Sequence, residues 1–181
     1  MKHFFINFFT TRKNKYKKIL FFYKMSFKKI DINNITLKQN KTAWFLNKKI
    51  VFKTPKLYIP FGLEKNYDNY IIKLQLRNIK KDKKIKDFFD FIVNLEKKLS
   101  ELLNTEIESQ IIYNTKYDPL ILSKLPQKQN QFTCNAFKDS DLINIFNIEK
   151  SVYCECELIV DSIWKFNNKF YYKLKINTIY L

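Results

Sequence analysis

In the last quarter of the chain, apolar and polar side chains alternate. From Val152 to Lys165, the residues Val152, Cys154, Cys156, Leu158, Val160 and Trp164 fall on one parity, and Glu155, Glu157, Asp161 and Lys165 on the other. From Phe170 to Tyr180 the alternation resumes, with Tyr172, Leu174 and Ile176 set against Lys173, Lys175 and Asn177. Successive side chains of an extended chain point to opposite faces, so this pattern marks half-buried strands. Joined by Asn167-Asn168-Lys169, the two runs predict an antiparallel hairpin over 152–180. Residues directly opposite share a face, and both apolar sets sit at even positions, so the loop must be odd in length. A three-residue turn at 167–169 meets that condition, because asparagine tolerates the left-handed backbone of such turns. The register then sets Trp164 against Tyr172, Val160 against Ile176 and Asp161 against Lys175. Ile159, Ile163 and Ile179 fall with the lysines on the outer face, part of which is therefore expected to be covered.

A different period governs 85–103. Ile85, Phe88, Phe89, Ile92, Leu95, Leu99 and Leu102 recur at steps of three and four, with Lys86, Asp90, Asn94, Lys97, Lys98 and Glu101 on the opposite side. This predicts the main helix, capped by Asp82 and packed on a sheet. Its polar face is mixed in sign, which suits a core helix better than one entering a DNA groove. Short strands are expected at 35–37, 44–46, 50–52, 57–59 and 70–76, then at 108–113, 120–124 and 131–135. Pro55 and Pro60 flank the strand at 57–59 and mark it as an edge or a structured loop, and Phe61-Gly62-Leu63 turns the chain. The apolar residues Leu142, Ile143, Ile145, Phe146 and Ile148 should lay the 138–150 loop over the core. The fold class is mostly β with one main helix, antiparallel, and the local pattern fits a barrel or a sandwich equally.

Residues 1–24 carry seven Lys or Arg and no acid. They read as a targeting presequence, as a membrane-surface anchor, or as a segment preceding a true start at Met25. Their uncharged runs are too short to span a bilayer, and no stable membrane insertion is expected. Residues 25–181 are expected to form a single β-rich domain.

Composition narrows the chemistry. The only glycine is Gly62 and the only histidine His3. Gly-rich phosphate loops, dinucleotide fingerprints and nucleophile elbows need several glycines, and histidine triads or His-containing metal sites need histidine. No catalytic residue, metal or cofactor is assigned, and the chain is read as a non-enzyme. The three cysteines, Cys134, Cys154 and Cys156, are read as small buried hydrophobes in a reducing compartment, not as a disulfide framework. The net charge of +17 attracts polyanions. Lysine nevertheless supplies nearly all of it, arginine occurring only at Arg12 and Arg77, and the same bias follows from an AT-rich genome.

Two groups of residues suit a nucleic-acid partner. Lys165, Tyr171, Lys173 and Lys175 alternate on the outer side of the predicted hairpin. Lys53, Lys56 and Tyr58 lie on the proline-stiffened segment, extended by Lys73 and Arg77. Lysines hold phosphates and exposed aromatics stack on unpaired bases. Against this stands a solvated sheet face whose lysines pair with Glu155, Glu157 and Asp161.

The stretch Lys53-Thr54-Pro55-Lys56-Leu57-Tyr58-Ile59-Pro60-Phe61-Gly62-Leu63-Glu64 resembles a family of small proteins of large nucleocytoplasmic DNA viruses. The resemblance extends through Asp87-Phe88-Phe89-Asp90-Phe91-Ile92 and Tyr117-Asp118-Pro119-Leu120 to Asp161-Ser162-Ile163-Trp164-Lys165-Phe166-Asn167-Asn168-Lys169. That family's layout is similar to phage-type single-stranded DNA-binding proteins. The resemblance therefore implies an oligonucleotide-binding (OB-like) barrel with an inserted helix. It also implies a protein of viral replication, recombination or transcription, working in the host cytoplasm or nucleus. The expected partners are single-stranded DNA or RNA, with a second copy of the chain or viral replication proteins. The competing reading is a virion or assembly protein whose exposed aromatics form a protein interface.

Overall fold

The computed structural model describes residues 26–40 and 43–181, so the expectations for 1–24 lie outside the described residues. In chain order the strands are β1 Leu37–Gln39, β2 Ala43–Lys53, β3 Leu57–Ile59, β4 Glu64–Asn66, β5 Asn69–Gln75, β6 Ile107–Glu108, β7 Ile111–Ile112, β8 Leu120–Leu125, β9 Gln127–Lys128, β10 Gln131–Phe132, β11 Asn135–Lys138, β12 Asp141–Ile143, β13 Val152–Phe166, β14 Lys169–Tyr172 and β15 Leu174–Tyr180. The helix α1, Lys83–Leu103, lies between β5 and β6.

The main sheet runs β1-β2-β13-β3-β5-β8-β15-β11-β12, and β13 pairs β15 as well. The pairings of β13, β3, β5, β8 and β15 thus return on themselves. Most are antiparallel, but β15 runs parallel to β8 and β11, and β14 runs parallel to β6. The sheet is therefore not wholly antiparallel, as the alternation alone predicts. Parallel neighbours need long connections, and the chain supplies one by passing through β9–β14 between β8 and β15.

α1 forms as the periodicity predicts. The Asp82 carboxylate accepts from the Lys84 and Ile85 backbone N–H groups, satisfying donors that the first turn leaves open. Asn104 ends the helix in the left-handed region, at φ 51°. The buried face is Ile85, Phe88, Phe91, Ile92, Leu95 and Leu99, so Phe91 takes the place expected of Phe89. The reason is a partner from another element: Phe27 and Phe52 meet the Phe91 ring at 5.6 and 5.0 Å. One carboxylate ties this helix to the sheet. Glu96 accepts from the Tyr172 hydroxyl at 2.6 Å, the Gln110 N–H at 2.9 Å and the Ser109 hydroxyl at 2.8 Å.

The hairpin forms with a different register. Trp164 opposes Tyr171, Ile163 opposes Tyr172 and Phe166 opposes Lys169, leaving only Asn167 and Asn168 in the turn. Both have positive φ, 47° and 60°, as a two-residue turn matched to strand twist requires. An odd loop follows only from unbroken alternation, and two irregularities break the alternation here. Ile159 opposes Lys175 while Ile163 opposes Tyr172, four steps against three, so β13 carries an extra residue near Asp161. Glu157 opposes Thr178 while Leu158 opposes Ile176, so β15 bulges at Asn177. A one-residue bulge reverses every face beyond it. Ile163 and Ile179, expected outside, are therefore fully buried, and Trp164 leaves the core face.

Further expectations change for local reasons. The two short strands at 44–46 and 50–52 are one strand, β2, paired with β13 at 43–45 and at 50–53. β3 is not an edge: Tyr58 pairs with Tyr153 on one side and Gln75 on the other. Pro55 and Pro60 lie just outside its three residues, so the ladder keeps all its N–H groups. In the 138–150 segment Ile145 and Ile148 are buried as expected, but Leu142 and Phe146 are 64% and 59% exposed. Gly62 has φ +73°, and a Cβ there would stand 3.2 Å from the Lys150 nitrogen, so the turn and the close approach both require glycine. The three cysteines are buried in the core, with the Cys154 and Cys156 sulfurs 3.6 Å apart. Burial pushes the Cys134 thiol up to about 11, so it stays protonated.

Replacing Tyr172 by Phe removes the hydroxyl from Glu96 and is expected to cost about 1–3 kcal/mol in urea unfolding. Burial, with the Glu96 charge and hydrogen bond, also raises the Tyr172 phenol well above its usual 10.0. The unfolded chain therefore releases that proton first, and stability falls as pH rises above 10.0. Tyr172→Phe should flatten this part of a stability–pH curve.

Candidate nucleic-acid interface

The bulge near Asp161 determines what the hairpin shows to solvent. Beyond it, Ile163 faces the core, and Trp164 and Phe166 face outward. Trp164 lies between Ala43 of β2 and Tyr171 of β14, and Phe45 of β2 opposes Ser162 on the same face. The Trp164 and Tyr171 rings are stacked, 5.8 Å apart and 19° from parallel. The Lys173 ammonium sits 4.3 Å from the Trp164 ring centre, a cation–π contact. Phe45 and Phe166 add large apolar surface, 45% and 61% exposed. Lys38, opposite Phe45 on β1, is exposed beside them.

Lysines gather next to this aromatic face. Lys175 of β15 opposes Lys124 of β8, and Lys173 is close to both. Burial, then the Lys124 and Lys175 charges, holds the Lys173 ammonium below its usual 10.5. Lys175 is the member with a counter-ion: its ammonium donates to both Asp161 oxygens at 2.8 Å. Burial raises the Asp161 carboxyl, but the Lys175 and Ser162 hydrogen bonds with the Lys175 and Lys49 charges outweigh it and leave it below the usual carboxylate value. Neither Lys124 nor Lys173 makes an ion pair among the described residues. A site of this kind offers flat rings for stacking and unneutralised cations for phosphate.

Of the four hairpin residues expected to act together, the structure gathers Tyr171, Lys173 and Lys175. Lys165 opposes Phe170 and lies over its ring at 5.5 Å, on the opposite face of the hairpin from Trp164 and Tyr171. The second predicted group divides. Lys56, Tyr58 and Arg77 come together around Tyr153. The Arg77 guanidinium lies 5.0 Å from the Tyr58 ring and donates to the Tyr153 hydroxyl at 3.2 Å. The two tyrosine rings are 5.1 Å apart, and the Lys56 ammonium is 6.0 Å from the Tyr153 ring. Lys53 pairs with Glu155 and lies over the Tyr180 ring, while Lys73 pairs with Glu64 at 2.8 Å and lies over Phe61.

Phe45, Trp164, Phe166, Tyr153 and Lys124 were not reached from the sequence. Trp164 and Phe166 were missed because of the unseen bulge. Tyr153 had a usable signal, an aromatic on the polar parity of an alternating run, but Phe45 and Lys124 join the surface only through pairing across strands. Among the described residues no cluster of His, Cys, Asp and Glu is arranged to hold a metal ion, and no helix is long and apolar enough to cross a membrane.

The crowding of Lys173 is open to direct measurement. Lys124→Ala should raise the Lys173 pKa part of the way toward 10.5, because one repulsive charge is removed while burial remains. Carbon-detected NMR of the lysine side chains reads this, and an unchanged Lys173 titration would show that the two ammonium groups do not interact.

The sequence matches no protein-family model and no curated protein. Solved structures do resemble the fold. Gp2.5, a single-stranded DNA-binding protein encoded by bacteriophage T7, superposes with a TM-score of 0.54 at 11% identity, covering 74% of this chain and 86% of that one. The single-stranded DNA-binding protein of bacteriophage Enc34, in complex with single-stranded DNA, superposes at 0.51 with 9% identity, covering 81% and 94%. At such identities the likeness is one of fold, and a mostly β chain with one long helix and a large, mainly antiparallel sheet is consistent with an OB-like architecture.

Proposed function

We propose that this chain is a non-enzymatic, sequence-tolerant single-stranded DNA-binding protein, with residues 25–181 acting as one OB-like β-barrel domain. The observation that carries the reading is the Trp164–Tyr171 stack with Lys173 above it, on an outward sheet face beside the unpaired Lys124. A stacked aromatic pair accepts any base, and lysines engage the backbone without reading sequence, so tolerance of sequence follows from the residue types. The two phage proteins that share the fold are single-stranded DNA-binding proteins, which supports the same class of ligand here. The pairing circuit through β13, β3, β5, β8 and β15 supports the barrel. The viral resemblance extends the proposal to a role in replication, recombination or transcription of viral DNA in the host cytoplasm or nucleus.

In this reading Trp164, Tyr171, Phe45 and Phe166 stack on bases. Lys173, Lys124, Lys38 and Lys175 hold phosphates, with Lys175 exchanging Asp161 for the ligand. Lys165, on the reverse side, is left out of the interface.

Fluorescence anisotropy with single-stranded DNA, duplex DNA and RNA of equal length, at two salt concentrations, tests the proposal. Single strands should bind more tightly than duplex, with affinity falling steeply as salt rises. Weak binding equal for all three would reject it and direct attention to a protein interface. Trp164→Ala should weaken single-strand binding by about 1–3 kcal/mol, the scale of one base–aromatic stack. Replacing Lys124 and Lys173 by Ala should lower the slope of log affinity against log salt by about 0.7 for each phosphate that is no longer neutralised. An unchanged slope would remove these lysines from the interface.

A further inference from the structure

The cluster of Tyr58, Tyr153, Arg77 and Lys56 lies at the opposite end of β13 from Trp164. Like the first it has two aromatic rings in contact and cations against them, and unlike the first it has no acid among its members. Arg77 places its guanidinium on Tyr58 and uses one N–H on the Tyr153 hydroxyl. A guanidinium has five donors, so several remain for a phosphate. Neither Arg77 nor Lys56 has a carboxylate partner among the described residues, and both are exposed. Tyr153 is 43% exposed, enough to present its ring to a ligand. Lys80, Lys81 and Lys84 follow Arg77 in the chain and are exposed, with the helix cap Asp82 among them.

The stretch of β13 between the clusters is different. Each acid there is already answered: Glu155 by Lys53, Glu157 by Asn177 and Thr178, and Asp161 by Lys175. From Tyr153 to Trp164 the backbone covers about 36 Å at the ordinary rise of a strand. β13 therefore has a middle whose acids are all engaged and an aromatic and cationic cluster at each end.

Building on the single-stranded DNA-binding reading, we propose that this second cluster is a separate nucleotide-contacting site and that one DNA strand engages both ends of β13 at once. Binding is then bipartite. A short oligonucleotide occupies one cluster. A longer one occupies both, the second engagement being made at the high effective concentration that tethering provides.

The test is a length series of oligothymidylates from about 4 to about 16 nucleotides, the range spanned by single OB folds, measured by anisotropy on the full chain. Affinity should rise in a step once the oligonucleotide reaches both clusters. Arg77→Ala and Tyr153→Ala should each remove that step, weakening the longest oligonucleotide by about tenfold while leaving the shortest within about twofold, because it still binds at Trp164. Arg77 is exposed and outside the core, so its variant keeps the test valid if Tyr153→Ala does not fold. A step that survives in Arg77→Ala, or an equal loss at every length, would overturn the bipartite model. Failure of the wild-type chain to bind any single strand would instead overturn the DNA-binding reading itself, and binding that depends on Trp164 but not on Arg77 would overturn this inference alone.

Discussion

The backbone of β13 has to be hydrogen-bonded along both edges, and the rest of the fold is arranged around that requirement. Over its fifteen residues it pairs with β2 and β3 on one side and with β15 and β14 on the other. The alternation of the hairpin is interrupted twice, by the extra residue near Asp161 and by the bulge opposite Glu157. The same irregularities decide which side chains meet water. Trp164 is outward because one residue too many lies between Ile159 and Ile163, so the proposed stacking platform follows from that single inserted residue.

The helix completes the core and is tied to it by chemistry as well as packing. Phe27 and Phe52 enclose Phe88 and Phe91, while Glu96 gathers donors from β14 and from the segment between β6 and β7. A partly buried carboxylate is costly unless it is well satisfied, and three donors at hydrogen-bond distance meet that condition. The candidate surface thus rests on a rigid support, which lets side chains at the surface hold a fixed geometry.

The positive charge is unneutralised over much of the surface. Among the described residues seven lysines, Lys53, Lys73 and Lys169 among them, pair with acids, and lysines far from either aromatic cluster, such as Lys48, Lys97 and Lys128, have no ion pair any more than Lys124 or Lys173 does. An AT-rich coding bias scatters lysines in this way. What sets the proposed surface apart is therefore its rings: Trp164 stacked on Tyr171 with the Lys173 ammonium over it.

The sequence by itself determined what depends on local periodicity and on chain punctuation. The helix and its Asp82 cap, the short strand between two prolines, the glycine turn, the buried cysteines and the existence of a terminal hairpin all follow from residues close together in the chain. Tertiary structure decided the register of that hairpin, the burial of Phe91 in place of Phe89, the parallel pairings and the separation of Lys165 from Tyr171. Each of these depends on a residue contributed from far along the chain or on a single inserted residue that local alternation does not reveal. A bulge leaves the apolar count of a strand almost unchanged while reversing its faces, so the strand was legible in the sequence and the side it turns to solvent was not.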